Sequence, residues 1–298
     1  MNKVLVIIVS YNWMRWIDSC LKSLQESSEA VDVLVVDNGS NDGTQEYLKE
    51  NYNGIYFVQN TVNLGFGKAN NIGLKYAIDN NYNYVYLLNQ DAWIMRDTIK
   101  DLIKISMDNP QYGILSPFQM TATLDKIDLN FKKDICSYQS NSDLFEDVYL
   151  NRQKQIYDVP SVMAAHWFMP IDTIKKVGLF SPSFPHYAED GNYCQRCYFR
   201  KLKVGIVPSL KVVHDREFRK TPVEKIIYIK YVEMIGVLSN PLCDDNLKKL
   251  LNLFSLSIKE AVKYKKFLPL TYYIKILKSY RSIIKAKNIS LNNIGAFL

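Results

Sequence analysis

Four apolar runs in the first ninety residues, separated by segments of helical periodicity, constrain the fold of this chain more than any other feature. The runs are KVLVIIVS, VDVLVVD, GIYFVQN and YVYLLN. Strands that are buried on both faces have this continuous apolar character, and helices between such strands predict right-handed crossovers. The pattern therefore predicts an α/β domain built on a mixed, mainly parallel sheet that is flanked by helices.

Polar residues follow each of these runs. They are SYN at residues 10–12, DNGS at 37–40, QNTVNLGFG from 59 and NQD at 89–91. Ligands of an open α/β sheet bind outside the carboxyl ends of its strands, so side chains placed there face a common crevice. A turn explains Ser40 and Asn41 equally well. Asp37 and Asp91 follow directly on apolar strands and are better candidates for ligand binding.

The second half of the chain is less regular. Residues 118–160 lose apolar periodicity and gather polar residues, which predicts irregular strands and loops. Order resumes at VMAAHWFMP, which is followed by helices around 172–176 and through Arg200 and by strands at VGIVP and KVVHD. We therefore predict one α/β domain over residues 1–220.

A helical, basic extension is predicted over residues 221–298. Two apolar stripes, with lysines opposite, run along it: Leu247, Leu250, Leu251, Phe254, Ile258, Ala261 and Val262, then Leu270, Tyr273, Ile274, Leu277 and Ile284. The segment from Pro241 onward carries a net charge of +8 and the rest of the chain about −1. A basic end on a near-neutral body favours an anionic surface over nucleic acid as a partner. Packing of the stripes within the protein or against a second subunit is an equal alternative.

Targeting signals and structural metal sites are not indicated. No apolar run approaches the roughly 20 residues that cross a bilayer, and the N-terminal apolar segment is too short for a cleaved signal. The five cysteines are scattered, and Cys194 and Cys197 have no second pair to complete a zinc site. We expect a cytoplasmic protein with free thiols.

The first strand is not followed by the glycine-rich loop of dinucleotide-binding folds. VSYNWMRW contains no glycine, whereas a pyrophosphate bound there needs close approach of the backbone. A divalent cation would neutralise a diphosphate instead. Asp91 is placed to bind Mg²⁺ or Mn²⁺, which take carboxylate and phosphate oxygens as ligands.

The motifs VSYN, VVDNGSNDGT, NLGFGKANNIG, LLNQD, YAEDGNYCQR and VVH resemble, in this order, family 2 glycosyltransferases of the GT-A fold. The resemblance covers roughly residues 3–215 and is strongest to bacterial rhamnosyltransferase-like enzymes of surface-polysaccharide assembly. It implies a nucleotide-binding half at 1–117 and an acceptor-side half at 118–220. It further implies metal-dependent, inverting transfer of a sugar from a UDP or dTDP donor to a glycan or lipid-linked saccharide.

The same resemblance implies which residues contact the nucleotide sugar and the metal. The residues that it implies for contact with the nucleotide sugar are Ser10, Tyr11, Asn12, Asp37, Gly39, Asn63, Gly65, Lys68, Asn70, Asn89 and Gln90. Asp37 matches the carboxylate that accepts a hydrogen bond from the pyrimidine N3–H. Asp91 matches the metal ligand of the DxD motif. His214 matches the family's late histidine, which ligates the metal or contacts the diphosphate; a structural imidazole is the alternative. Asn89, which replaces the first Asp of that motif, takes a ribose or water-mediated contact.

Residues 188–190, AED, match the position of the general base. An inverting transfer needs a carboxylate on the face opposite the leaving diphosphate, and we expect Asp190 to provide it, with Glu189 beside it. The start of a helix also favours two acids at this point. Trp167, His186 and Arg196 are expected on the acceptor side, where an aromatic ring can stack on a sugar, although a core tryptophan is an equal alternative.

Two other classes of protein remain as alternatives. A sugar nucleotidyltransferase would need a phosphate loop rich in glycine and arginine, which the N-terminus lacks. A degenerate homologue that binds glycans or scaffolds an assembly would not need Asp91 and Asp190. The expected partners are a nucleotide sugar, a saccharide or lipid-linked acceptor and an anionic membrane surface at the inner face of the cell membrane. A homodimer remains open, and nucleic acid is not expected.

Overall fold

The computed structural model of the protein describes residues 2–137, 142–216, 221–244 and 246–298. Within these residues the strands are β1 (Val4–Ser10), β2 (Asp32–Asp37), β3 (Tyr56–Gln59), β4 (Tyr84–Asn89), β5 (Ala92–Trp93), β6 (Tyr112–Met120), β7 (Tyr157–Asp158), β8 (His166–Pro170) and β9 (Lys203–His214). The helices are α1 (Ile17–Gln25), α2 (Thr44–Asn51), α3 (Phe66–Asp79), α4 (Thr98–Asp108), α5 (Leu129–Ser137), α6 (Ser142–Tyr149), α7 (Ile171–Val177), α8 (Glu189–Phe199), α9 (Val223–Ser239), α10 (Asn246–Tyr264) and α11 (Leu268–Asn292).

All described strands belong to one mixed sheet. Its order is β3-β2-β1-β4-β8-β6-β9-β5, and β7 pairs with β9 beside this path. The first four strands run parallel to one another, β6 runs parallel to β9, and β8 lies antiparallel between β4 and β6. The predicted mixed, mainly parallel α/β sheet is confirmed.

The apolar side chains of β1 alternate between two cores, one on each face of the sheet. Leu5 and Ile7 contribute to the core on the side of α3, α7 and α8, whereas Val6 and Ile8 contribute to the core on the side of α1 and α4. Gly73 allows α3 to lie close to β1, because a Cβ at this position would be 2.6 Å from Ile7 Cγ2. Burial on both faces is the reason for the uninterrupted apolar run in the sequence.

The prediction for residues 118–160 was correct for the irregular strands and loops but missed two helices. This segment contains α5 and α6 in addition to the end of β6 and the short β7. Each of the two helices is anchored by few buried apolar residues, Phe131 and Ile135 in α5 and Leu144 in α6, which is too few to give a clear periodicity. The two strands predicted at VGIVP and KVVHD are one strand, β9, with an irregular register opposite Pro117 and Phe118.

The helices α9, α10 and α11 form a separate core that also includes Phe184 of the α/β part. The chain end returns to that part, since Leu179 N donates a hydrogen bond to Ala296 O at 2.8 Å. The predicted boundary at residue 220 lies outside the described residues, and the division into two domains stays a prediction. In the part of the chain that the structure describes, no helix is both long and apolar enough to span a membrane.

Candidate active site

The carboxyl ends of four neighbouring strands meet at one edge of the sheet. Ser10 of β1 is in register with Asp37 of β2, which is in register with Gln59 of β3, and Val9 is in register with Asn89 of β4. The prediction that the polar strand ends share one edge is confirmed. The residues at this edge form the first wall of the candidate site.

Asp37 lies at this edge but does not face it. The side chain is fully buried, and its carboxylate accepts hydrogen bonds from Ser10 Oγ (2.9 Å), Ser40 N (3.0 Å), Gly39 N (3.2 Å), Gln45 Nε2 (2.9 Å) and the Ser40 hydroxyl. These donors occupy both carboxylate oxygens. The expected hydrogen bond from a pyrimidine ring is therefore corrected: Asp37 stabilises the turn that carries Gly39.

Asn38 connects this turn to the loop after β3, and sequence reasoning did not select it. Its Oδ1 accepts hydrogen bonds from Asn60 Nδ2 (3.1 Å) and Leu64 N (3.4 Å), and its Nδ2 donates to Gly65 O (3.4 Å). The signal that could have identified Asn38 was its place as the second polar residue of VVDNGS. Gly65 has φ +80°, and a Cβ there would collide with Pro185 O, so glycine permits this loop to touch the segment before α8.

Three further residues in this loop and in α3 were predicted to contact the nucleotide sugar, and their surroundings differ. Asn63 Oδ1 accepts a hydrogen bond from Gly65 N at 2.9 Å and so shapes the loop. Lys68 is exposed. Asn70 is buried and its Nδ2 donates to Phe66 O at 3.0 Å, which corrects the expectation that its side chain faces a ligand.

Gln90 fixes the turn after β1. Its Oε1 accepts a hydrogen bond from Tyr11 N at 2.7 Å, and its Nε2 donates to Tyr11 O at 3.2 Å. Asn12, with φ 53°, accepts a hydrogen bond from Asn41 N at 3.0 Å through its Oδ1. The Tyr11 ring stays 46% exposed at the rim of the site, where a planar ring can stack against it.

Asp91 and His214 are brought together by pairing of β5 with the end of β9. Ala92 is in register with His214, and the Asp91 Oδ1 lies 3.4 Å from His214 Nε2. Burial opposes ionisation of Asp91, but the hydrogen bond and charge of His214 and the charge of Arg216 outweigh it, so the pKa of Asp91 lies below its usual value. The Asp91 carboxylate is therefore ionised at neutral pH.

The contacts of His214 fit a metal ligand. Gln119 Oε1 lies 3.1 Å from Nδ1, and Arg216 Nε donates to Nε2 at 3.1 Å. A charged ring would donate from Nε2 to Asp91, whereas a neutral ring with its proton on Nδ1 donates to Gln119 and leaves the Nε2 lone pair for Arg216 Nε or for a metal ion. Among the described residues no three His, Cys, Asp or Glu side chains cluster as a complete cage, so phosphate or water oxygens would have to complete the coordination sphere.

Glu189 and Asp190 begin α8 and lie on the other wall of the site. Asp190 accepts a hydrogen bond from Gly191 N at 2.8 Å, and burial raises the pKa of its carboxyl. Glu189 is 5% exposed, and its Oε2 has no described hydrogen-bond partner. Burial, with the charge of Asp190, raises the pKa of Glu189 to about 8, so Glu189 is mostly protonated at neutral pH. This leaves Asp190 as the better base of the pair.

One cavity of about 170 Å³ joins the two walls. It is lined by Phe66, Asn89, Met163, Ala164, Ala165, His186, Tyr187, Ala188, Glu189, Asp190 and Arg216. The predicted residues of the β4 end and of the α8 start therefore face the same space. His186, expected on the acceptor side, also lines it.

Two expected acceptor-side residues lie in the core instead. Trp167 is fully buried, its Nε1 donates to Val162 O at 3.1 Å, and its ring stacks on Phe180. Arg196 is 2% exposed, and its guanidinium donates to the backbone carbonyls of Leu179 and Val177. Their predicted contact with an acceptor is corrected: Trp167 fills the core, and Arg196 stabilises the chain between α7 and α8.

Comparison with known proteins assigns the family. Residues 5–163, slightly more than half of the chain, match the model of Glycosyl transferase family 2. The chain belongs to this family. Over 214 residues it is 24% identical to the dTDP-rhamnosyl transferase RfbF of Shigella flexneri, an alignment that covers 72% of this chain and 69% of that protein. Over 225 residues it is 23% identical to the low-salt glycan biosynthesis hexosyltransferase Agl10 of Haloferax volcanii, with 74% and 69% covered.

Solved structures show the same fold. Residues 1–349 of S. aureus TarS in complex with UDP-GlcNAc superpose with a TM-score of 0.61 at 19% identity, covering 97% of this chain and 83% of that one. The chain covers 41% of a longer TarS structure. The architecture is thus that of a GT-A glycosyltransferase. The family match ends at residue 163, so the placement of Glu189, Asp190 and His214 rests on the geometry of this glycosyltransferase itself.

The raised pKa of Glu189 predicts a pH-dependent stability. The folded glycosyltransferase holds this proton up to a pKa of about 8, whereas the unfolded chain releases it near the ordinary value of 4.5. The free energy of unfolding should therefore fall as pH rises through this window, by up to about 1.4 kcal/mol per pH unit. Glu189→Gln should flatten the dependence, measured by urea unfolding between pH 5.5 and 8.5. Glu50→Gln, at an exposed glutamate of α2, is the control; an unchanged slope in Glu189→Gln would contradict the assignment.

Proposed function

We propose that this glycosyltransferase moves a sugar from a UDP- or dTDP-linked donor to a glycan or lipid-linked saccharide, with inversion, in the synthesis of a cell-surface polysaccharide. The observation that carries the proposal is the shared cavity between Asn89 at the nucleotide-side strand end and Asp190 at the start of α8. The similarity to RfbF, a dTDP-rhamnosyl transferase, supports a dTDP donor, and the UDP-GlcNAc complex of TarS supports a UDP donor. Both donors therefore stay in the proposal.

The proposed transfer forms one bond at the anomeric carbon and breaks another. The acceptor hydroxyl oxygen bonds to this carbon while the bond from the carbon to the donor phosphate oxygen breaks. The electron pair of that bond leaves with the diphosphate, and the acceptor proton passes to Asp190. Burial, which raises the pKa of Asp190, makes it a stronger base than an exposed aspartate. Attack from the face opposite the diphosphate inverts the configuration.

We also propose that Asp91 and His214 hold Mn²⁺ or Mg²⁺ during this reaction. Their facing donor atoms, a carboxylate oxygen and an imidazole nitrogen 3.4 Å apart, suit a divalent cation, and the imidazole favours Mn²⁺. Such an ion supplies positive charge to the leaving diphosphate. Tyr11, Asn12 and Lys68 are then available to the nucleotide, while Ser10 and Gln90 hold the loops in place.

Thermal unfolding with a panel of nucleotides tests the proposed donor class. A ligand at 100 times its Kd stabilises a protein by about 2.7 kcal/mol, which shifts Tm by several degrees. We expect UDP, dTDP or their sugar conjugates to raise Tm more with MnCl₂ than with EDTA, and purine nucleotides to have little effect. Absence of a shift with every pyrimidine diphosphate would contradict the proposal. Binding without turnover would favour the degenerate homologue, and pyrophosphate release from UTP or dTTP would favour the nucleotidyltransferase.

The C-terminal helices include one, α10, with an exposed apolar face. Five apolar residues of α10, which are between 43% and 73% exposed, share one face of the helix: Leu247, Leu251, Phe254, Ile258 and Val262. The buried face of α10 is a different one and contains Leu253 and Ser257. We refer to the five exposed residues as the α10 stripe. Most of its surface is exposed, and its one described aromatic contact is that of the Phe254 ring with Tyr273 of α11, whose ring centroids are 5.2 Å apart.

We propose that the α10 stripe lies on an anionic membrane surface. Lys248, Lys259 and Lys263 are exposed along one edge of the stripe, the arrangement expected of an interfacial amphipathic helix. Docking of a second copy through the same face would bring these lysines together and is less favourable. The helices would then hold the cavity near a lipid-linked acceptor.

A vesicle sedimentation assay tests this contact. The double variant Leu251→Glu/Phe254→Glu places two carboxylates in the stripe and should abolish sedimentation with phosphatidylserine-containing vesicles. Each of Lys259→Gln and Lys263→Gln should weaken it several-fold, because a lysine near such a surface contributes about 1 kcal/mol. Met107→Glu, an equally exposed apolar position on α4, is the control and should behave as the wild type. Unchanged sedimentation of the double variant would contradict a role of the stripe.

A further inference from the structure

Arg216 lies just beyond the end of β9, and three contacts hold Asp215 and Arg216 in place. Asp215 N donates to Asp91 O at 2.7 Å, Trp16 Nε1 donates to Asp215 Oδ2 at 3.0 Å, and Arg216 N donates to His214 O at 3.1 Å. The strand end therefore directs this side chain into a defined place beside the cavity. Arg216 belongs to none of the sequence motifs.

The described hydrogen bonds of the Arg216 side chain go to an imidazole nitrogen and a thioether sulfur, neither of which carries a negative charge. Nε donates to the ring nitrogen Nε2 of His214 at 3.1 Å, and Nη2 lies 3.2 Å from the sulfur of Met163. A guanidinium has five N–H donors in a planar fork that matches phosphate oxygens far better than a thioether. The side chain is thus held at the cavity wall by interactions that a phosphate can readily replace.

The site around Arg216 is rich in carboxylates. Asp91, Asp134 and Asp190 all lie close enough for its charge to lower the pKa of their carboxyls. Of the described residues that line the cavity, Arg216 alone carries a permanent positive charge. A diphosphate that enters beside these carboxylates needs compensating cations, because repulsion would otherwise exclude it.

We propose that Arg216 binds the diphosphate of the donor, next to Asp91 and His214. The inference rests on the proposed function and adds a second positive group on the leaving side of the reaction. A cation held by His214 Nε2 would take the lone pair to which Arg216 Nε now donates, and phosphate oxygens would become the new acceptors of the guanidinium. In the transfer step Arg216 stabilises the charge that the diphosphate gains as the bond to the anomeric carbon breaks.

Calorimetric titration with UDP, dTDP, uridine and thymidine tests the proposal in wild type, Arg216→Ala and Arg216→Lys, each with MnCl₂ and with EDTA. We expect Arg216→Ala to bind the preferred diphosphate roughly 10- to 100-fold more weakly and the matching nucleoside within about twofold of wild type. Arg216→Lys should be intermediate, because an ammonium keeps the charge but lacks the fork. Arg96→Ala, which removes an exposed arginine near α4, is the matched control and should bind as wild type.

The outcomes separate this inference from the function on which it rests. If wild type binds neither diphosphate, the proposed function fails and the inference fails with it. If wild type binds a diphosphate and both Arg216 variants bind it equally well, the inference alone is overturned. An equal loss of nucleoside and diphosphate affinity in Arg216→Lys would also overturn it, because that result indicates a structural role.

Discussion

Asp190→Asn is expected to lower kcat by about 10²- to 10⁴-fold, the usual contribution of a positioned general base. The amide keeps the volume and the hydrogen bond from Gly191 N, but it cannot take the proton of the acceptor hydroxyl. Donor affinity should barely change, because the base faces the acceptor. Initial rates of nucleoside diphosphate release, measured with saturating donor and acceptor, give kcat, and calorimetry gives the donor Kd.

Glu189→Gln is the matched control for this variant. Because the pKa of Glu189 is raised to about 8, its carboxyl is largely neutral at pH 7, and a neutral amide resembles it closely. We expect this variant to retain far more turnover than Asp190→Asn. If Glu189→Gln is inactive while Asp190→Asn turns over normally, the proton is taken by Glu189 and the assignment of the base is wrong.

Asp91→Ala is expected to remove the effect of Mn²⁺ on donor binding. The lost charged contact is worth about 1.5–3 kcal/mol, so affinity in MnCl₂ should fall roughly 10- to 150-fold to the value measured in EDTA. The side chain is 24% exposed in the turn between β4 and β5, so the fold should persist. Calorimetry of the preferred diphosphate with each additive measures this difference.

Asn89→Ala serves as the comparison for Asp91→Ala. Asn89 also lies near the imidazole, with its Nδ2 3.5 Å from His214 Nε2, but it brings no charge to a cation. Its substitution should weaken binding less and should leave the difference between MnCl₂ and EDTA intact. An undiminished metal effect in Asp91→Ala would exclude Asp91 as a ligand.

The sheet could be predicted from sequence because its strands are buried on both faces. In β1 every residue from Val4 to Ile8 is buried, so the apolar run marks the strand and the first polar residue marks its end. The common edge of Ser10, Asp37 and Asn89 follows from parallel pairing. The helices α5 and α6 were missed because a few buried anchors in polar segments leave little periodic signal.

The sequence did not allow the orientation of single side chains within the site to be predicted. Asp37 and Asp91 both follow apolar strand segments, yet the oxygens of Asp37 are taken by the turn after it, a difference that arises from the backbone of that turn. Arg196 looks like a surface group by residue type but is buried, and Trp167 lies in the core, the alternative that its sequence left open. The apolar run HWFMP around Trp167 was a usable signal of burial, whereas no motif marks Arg216.

An NMR measurement of the transfer reaction tests the proposed inverting transfer. Wild-type protein would be incubated with MnCl₂, a saccharide acceptor and, in turn, UDP- and dTDP-linked sugars, and the anomeric configuration of the product would be assigned. We expect that one donor is consumed, that one nucleoside diphosphate is released for each new glycosidic bond, and that this bond has the configuration opposite to that of the donor. A product with the configuration of the donor would contradict a single displacement assisted by Asp190, and consumption of no donor would contradict the proposed transfer itself.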